Sequence, residues 1–296
     1  MTTPSWKRVS AEIDRAGESP IWDWRSGRLY WVDAQAPCVR ALDLDTGRED
    51  RWPAPAPIGC IGLAGTDSLV VATDRAFHLL DCERGSWSPL ATIHPPLSGY
   101  RLNDGKVDRG GRLLVGSLFD GEFGSDGALY RVDGAGRIET LFGGLAMANA
   151  TCFSPDGRTL YVGDTATARI DAYSYDPQTG RIGERRLFAD VREVFGAMPD
   201  GATTDSNGNV WVALVDQARI ACLAPDGTSI RVVETPMEYP SCPAFGGKTL
   251  DILFVTSISD PRPHAPLPAT PDSGALFALS GLGVNGLREP IFGGVE

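Results

Sequence analysis

The chain has 296 residues, 42% of them hydrophobic, and a formal net charge of −11. That length can build one large core, and the acidic balance without a basic patch argues against a nucleic-acid partner and against an anionic membrane surface. The 35 glycines and 22 prolines are spread evenly, which suits many short strands joined by turns rather than a few long helices.

The opening stretch, MTTPSWKRVS, lacks an apolar core of signal-peptide length, and no run of about 18 apolar residues follows it. A cytoplasmic protein without a membrane span is therefore expected. From there the chain repeats. The first unit, GESPIWDWRSGRLYWVDAQAPCVRALDLDTGR, turns at Gly27, and the second, IGCIGLAGTDSLVVATDRAFHLLDCERG, turns near Gly65. The third, NDGKVDRGGRLLVGSLFDGEFGSDGALYRVDGAGRI, turns at Gly111. The fourth spans residues 149–176, with strand-like runs on both sides of the Ser154-Pro155-Asp156-Gly157 turn. The fifth, DGATTDSNGNVWVALVDQARIACLAPDGTSI, turns at Gly208; the sixth starts at SCPAFGGKTLDILFVTSISD and resumes at GALFALSG.

Six units spaced by roughly 40–50 residues predict an all-β fold, a six-bladed β-propeller with four antiparallel strands per blade. One domain over residues 1–296 is expected, because no linker interrupts the series. Radial packing of the blades hides most sheet edges. Residues 7–13 are expected to close the ring against residues 290–293. The one helical candidate lies within residues 190–197. The Pro-rich stretch 260–273 interrupts the sixth unit, either as a solvated insertion or as a rim over the channel mouth. The six cysteines are far apart without a CxxC pair, so free, buried thiols are expected.

In a propeller the first strand of each blade lines the central channel. Counting back about eight or nine residues from each turn glycine gives Glu18, Pro57, Asn103, Asn149, Asp200 and Tyr239. Four of these are residue types that strands avoid. Asp200-Gly201 and Asn103-Asp104-Gly105 also read as turn sequences, but the shared register favours convergence near one end of the channel. Carboxylates and amides gathered there call for a cation. Glu18, Asn149 and Asp200 are the expected ligands of one divalent ion. Oxygen donors suit Ca²⁺ first, with Mg²⁺, Mn²⁺, Zn²⁺ or Fe²⁺ as alternatives. His78, His94 and His264 fall outside the register, so a histidine triad is not expected. The DSNGN stretch lacks the downstream glutamate of an EF-hand loop.

GESPIW, RLNDGKVDRGGRLLVGSL, NATCFSPDGRTLYVGDT, PDGATTDSNGNVWVAL and CPAFGG resemble the SMP-30/gluconolactonase/regucalcin family over residues 12–279. The resemblance implies a six-bladed propeller, one divalent metal in the channel and hydrolysis of sugar lactones. It assigns Glu18, Asn149 and Asp200 to the metal, and Arg101 and Asn103 to the sugar. Two departures are visible. Ala148-Asn149-Ala150 stands where the family commonly has Ser/Thr-Asn-Gly, and an acidic substrate contact has two candidates, Asp120 and Glu122. Tyr239 and the 260–273 stretch would shape the pocket mouth.

The expected reaction is hydrolysis of an aldonolactone to the aldonic acid, with the metal as Lewis acid and Asp200 as general base. The rival readings are a non-catalytic calcium- or ligand-binding propeller and an aryl-esterase-type hydrolase. No GxSxG motif supports a serine triad. The partner is a small-molecule sugar lactone, and the sequence leaves monomer and homodimer both open.

Overall fold

The computed structural model describes residues 3–94, 99–119, 124, 126–263 and 265–294. Their strands form six four-stranded antiparallel sheets. The innermost strands are Gly17–Asp23, Ile58–Leu63, Tyr100–Val107, Ala148–Phe153, Pro199–Thr204 and Pro240–Gly246, and they touch one another in cyclic order. This is the six-bladed propeller expected from the repeat. The short helix Val191–Phe195 falls inside the helical candidate, capped by Asp190 and ended by Gly196 in the left-handed region.

The apolar core is divided into wedges between neighbouring blades. Ile21, Tyr30 and Val32 of the first blade meet Ile61, Leu63 and Val71 of the second. Trp22, Trp31 and Leu29 of the first meet Phe254, Leu276 and Ala278 of the sixth. All six cysteines are free and buried, as their spacing predicted.

The ring closes differently from the sequence expectation. Ser5–Arg8 pairs antiparallel with Phe277–Ser280 as the outer strand of the sixth blade. Residues 290–293 do not form a strand. The C-terminal segment instead crosses the face at the far end of the innermost strands, where Phe292 N donates to Leu63 O at 2.7 Å and Gly293 N donates to Gly111 O at 2.8 Å. An all-antiparallel blade needs only one strand borrowed from the other terminus, which leaves the last residues free to make this crossing.

Next to the closure, Arg40 Nη1 lies 2.7 Å from Asp14 Oδ1, and its Nη2 lies 2.7 Å from Glu49 Oε2. Asp14 Oδ2 also accepts from Trp31 Nε1 at 2.8 Å. Removing one partner of a buried pair leaves the other charge stranded. Arg40→Met is therefore expected to destabilise the fold by about 3 kcal/mol in urea unfolding; a change within about 0.5 kcal/mol, the usual effect of a surface substitution, would show that the pair is energetically idle.

The aspartates of the DSNGN and DRGGR turns are structural. Asp205 of DSNGN accepts from the amides of Asn207 and Asn209 and from Trp211 Nε1. Asp108 of DRGGR does the same for Gly110, Arg112 and the Tyr175 hydroxyl.

Candidate functional site

Every innermost strand carries a β-bulge near its start. A bulge adds one residue to one strand and re-aims its side chain. Glu18, Asn103, Asn149 and Asp200 stand at or next to these bulges and share one level along the axis. The equivalent positions of the second and sixth blades are Gly59 and Ser241, because Ile58 and Pro240 take the places that Gly17 and Ala148 hold. Pro57 and Tyr239, two residues earlier, lie at the rim. The count slipped there because the turn glycines of those two blades, Gly65 and Gly247, sit two residues nearer the site position than Gly111, Gly157 and Gly208 do, while every bulge adds one residue. Glycine at position 59 has a physical reason: a Cβ would come within 2.5 Å of Asn103 O.

Asn103 and Asp200 are strand residues here and not turn residues. Asn103 Nδ2 donates to Asn149 Oδ1 at 3.0 Å and to Ala148 O at 2.9 Å. Asn149 Nδ2 donates to Thr165 Oγ1 at 2.8 Å, and that hydroxyl donates to Pro199 O at 2.7 Å. Thr165 thus ties Asn149 to the residue before Asp200. The orientation turns the Asn149 amide oxygen toward Asn103 and leaves it a second lone pair. Arg101 Nη1 lies 3.4 Å from Asn103 Oδ1. Asp120 and Glu122 lie outside the described residues, as does His264.

The approach to the strands of Glu18, Asn149 and Asp200 is clamped by an aspartate at the end of that blade's second strand, or just beyond it in the fifth blade. Asp33 accepts from Arg15 N at 2.8 Å and Ala16 N at 3.2 Å; Asp164 accepts from Ala146 N at 3.0 Å and Met147 N at 3.1 Å. Asp216 accepts from Met198 N at 2.9 Å. These carboxylates and Thr165 escaped the sequence reading. Their signal was the recurrence of Asp just after the second strand's apolar run in three blades, two residues or so from a turn.

Burial dominates the electrostatics. The Glu18 carboxyl is pushed well above the usual range by desolvation first, then by the charges of Asp200 and Asp104. Asp200 is pushed up by desolvation and then by Asp104. Asp104, 9% exposed, is raised to about 6 by desolvation, against a hydrogen bond from Thr151 N. Among the described residues no three Asp, Glu, His or Cys side chains meet closely enough to hold a metal ion by themselves. A cation between Glu18 and Asp200 would take its further donors from other oxygens, and the Asn149 side-chain amide lies at the same level of the channel. Two desolvated carboxylates and one amide oxygen fit a hard divalent ion.

The raised carboxyls make a stability prediction. A folded-state pKa above the unfolded value means the native state binds the extra proton, so stability grows as pH falls. For Asp104 that gain develops between about 6 and 3.8, and Glu18 and Asp200 act in the same direction. The melting temperature of chelated protein should gain from the Asp104 contribution as pH drops from about 6 toward 4, more than that of protein saturated with a divalent ion. Parallel pH profiles would show that no ion occupies this charge cluster.

The Pro-rich stretch sits at the same end of the channel. Ala16, two residues before Glu18, bridges Ile258. Asp260 binds Arg15 and Arg262, Glu238 accepts from Thr270, and the Tyr239 hydroxyl donates to Pro266 O at 3.0 Å. It forms part of the rim. At the other end a cavity of about 40 Å³ is lined by Lys106, Thr203 and Glu289 among others, beneath the C-terminal crossing.

Among known proteins, the chain is 34% identical over 278 residues to a 6-deoxy-6-sulfogluconolactonase of Pseudomonas putida, covering 94% of this chain and 95% of that one. It is 30% identical over 293 residues to regucalcin of Xenopus laevis, covering 97% of each. A crystal structure of a regucalcin from Agrobacterium tumefaciens, described as a calcium-binding protein, superposes with a TM-score of 0.90 at 29% identity, covering 97% of each chain. Residues 16–259 match the family described as SMP-30/Gluconolactonase/LRE-like region, and the chain belongs to that family.

Proposed function

We propose that this protein is a hydrolase that opens a sugar lactone, an aldonolactone, to the aldonic acid, with one divalent ion held by Glu18, Asn149 and Asp200. The observation that carries the reading is the set of desolvated carboxylates Glu18 and Asp200 sharing the end of the channel with the fixed Asn149 amide. The sulfogluconolactonase relative supports a lactone substrate, and the calcium-binding regucalcin structure supports a divalent ion, Ca²⁺ first. A bound ion there would polarise the lactone carbonyl and lower the pKa of water.

The chain's own residues supply the proton chemistry and the positioning. Asp200 takes the proton of the attacking water while that water's oxygen bonds to the carbonyl carbon. The bond from that carbon to the ring oxygen then breaks, and Asp200 returns the proton to the ring oxygen, which leaves as a hydroxyl. Burial raises the basicity of Asp200, and its ionisation in that setting requires positive charge beside it. Arg101, with a planar fork of donors, and Asn103 orient sugar hydroxyls at the mouth.

A pH-stat assay on gluconolactone and pentonolactones, with and without added divalent ion, tests the reading. Acid release that depends on the ion supports it. Ion binding without acid release from any lactone would favour the calcium-binding propeller that the regucalcin relatives suggest, and turnover of aryl esters alone would favour the esterase reading.

A further inference from the structure

Inside the channel, next to the Glu18–Asn149–Asp200 level, lies a cavity of about 10 Å³ lined by Ser19, Ile61, Asp104, Lys106, Thr151 and Cys242 among others. Thr151 is 1% exposed; its Oγ1 lies beside the Asp104 carboxyl, close enough to oppose the rise in that group's pKa, but makes no well-aligned hydrogen bond within the protein. A buried hydroxyl left unmet costs about 1–3 kcal/mol. A polar space of this size is what one water needs, given two to four partners. Those partners are at hand. Asp104 Oδ2 already accepts from Thr151 N at 2.7 Å, which leaves its other oxygen as an acceptor. Lys106 Nζ is 2.7 Å from Glu289 Oε1, and an ammonium has two further donors.

We propose that one ordered water occupies this cavity, bonded to Thr151 Oγ1 and Asp104, and that the Asp104–water–Thr151 unit positions Asn149. The bulge of this strand falls between Asn149 and Cys152, and Ala150 within it holds φ at 50°. A non-glycine residue in that region persists only where its surroundings fix it. Asp104 grips the bulge twice, directly through Thr151 N and through the water at Thr151 Oγ1. Its neighbour Asn103 grips Asn149 itself. Asp104 and Thr151 are thus positioning residues, two hydrogen bonds behind the amide that faces the cation. The positioning role rests on the reading of Asn149 as a metal ligand; the water does not.

Thr151→Val keeps the shape and removes the hydroxyl, while Thr151→Ser keeps the hydroxyl. High-resolution crystal structures of the wild type and both variants should show the water within hydrogen-bond reach of residue 151 and Asp104 in the wild type and the serine variant. In the valine variant the water should be lost and the Asn149 amide displaced or spread over two orientations. By calorimetry, Ca²⁺ affinity should fall about tenfold in the valine variant, the size of effect that outer-shell partners of metal ligands have, and should recover with serine. A dry wild-type cavity would overturn the water. An unmoved Asn149 with unchanged Ca²⁺ affinity in the valine variant would overturn the positioning role. If wild-type protein binds no divalent ion while the water and the Asn149 displacement are seen, the metal reading alone fails.

Discussion

Asp200→Asn should lower kcat for lactone opening by about 10²–10⁴-fold, the span that general-base catalysis contributes, with the fold unchanged. The substitution preserves volume and one oxygen donor and removes the proton acceptor. It also removes one of the negative charges raising the Glu18 carboxyl, so Glu18 should ionise more readily in the variant. The backbone around Asp200 should tolerate the change: Ala202, Thr203 and Thr204 pair with the next strand, and Asp216 still clamps Met198. Circular dichroism and urea unfolding would confirm the intact propeller. Turnover within a few-fold of wild type would remove Asp200 from the proton-transfer role and leave it, at most, as a cation ligand.

Chelation should abolish activity and lower the melting temperature together. An ion that binds only the folded state stabilises it by RT ln(1 + [L]/Kd), about 2.7 kcal/mol at a hundredfold excess over Kd. For a chain of this size that corresponds to a shift of roughly 4 °C. Restoring divalent ion should recover both properties with the same concentration dependence, since one site governs them. Glu18→Gln should weaken the stabilisation by ion without abolishing folding, because Glu18 lies at a bulge held by other contacts: Ser19 Oγ accepts from Ile61 N at 3.0 Å, and Gly17 O accepts from Ser241 Oγ. If activity vanishes on chelation while the melting temperature stays fixed, the ion acts somewhere other than this cradle.

Turn chemistry made the architecture readable. Gly27, Gly111, Gly157 and Gly208 all adopt positive φ, where glycine is the default residue, and their spacing carried the blade count. The site level was readable because Glu, Asn and Asp are unusual on buried inner strands. Its details were not. The register slipped by two residues at Pro57 and Tyr239, since the glycine takes an earlier place in the turns at Gly65 and Gly247 than in those at Gly111, Gly157 and Gly208. Asp104 read as part of a turn because Asn-Asp-Gly is common turn chemistry, yet it is a buried strand residue.

Long-range partners were the least legible. Thr165 lies 16 residues from Asn149, and Glu289 lies far along the chain from Lys106, its ion-pair partner at 2.7 Å. No local pattern announces either contact: the first exists only once the first two strands of the fourth blade pair, the second only once the C-terminal segment has crossed the far face. The closing strand itself failed for a related reason. Ser5–Arg8 and residues 290–293 are both short and weakly patterned, and only the first pairs with Phe277–Ser280.

The most direct measurement is anomalous diffraction from crystals soaked in Mn²⁺. A single strong peak within coordination distance of one oxygen each from Glu18, Asn149 and Asp200 is the predicted result. A peak elsewhere, or no peak in the channel at an ion concentration that supports lactone opening, would contradict it.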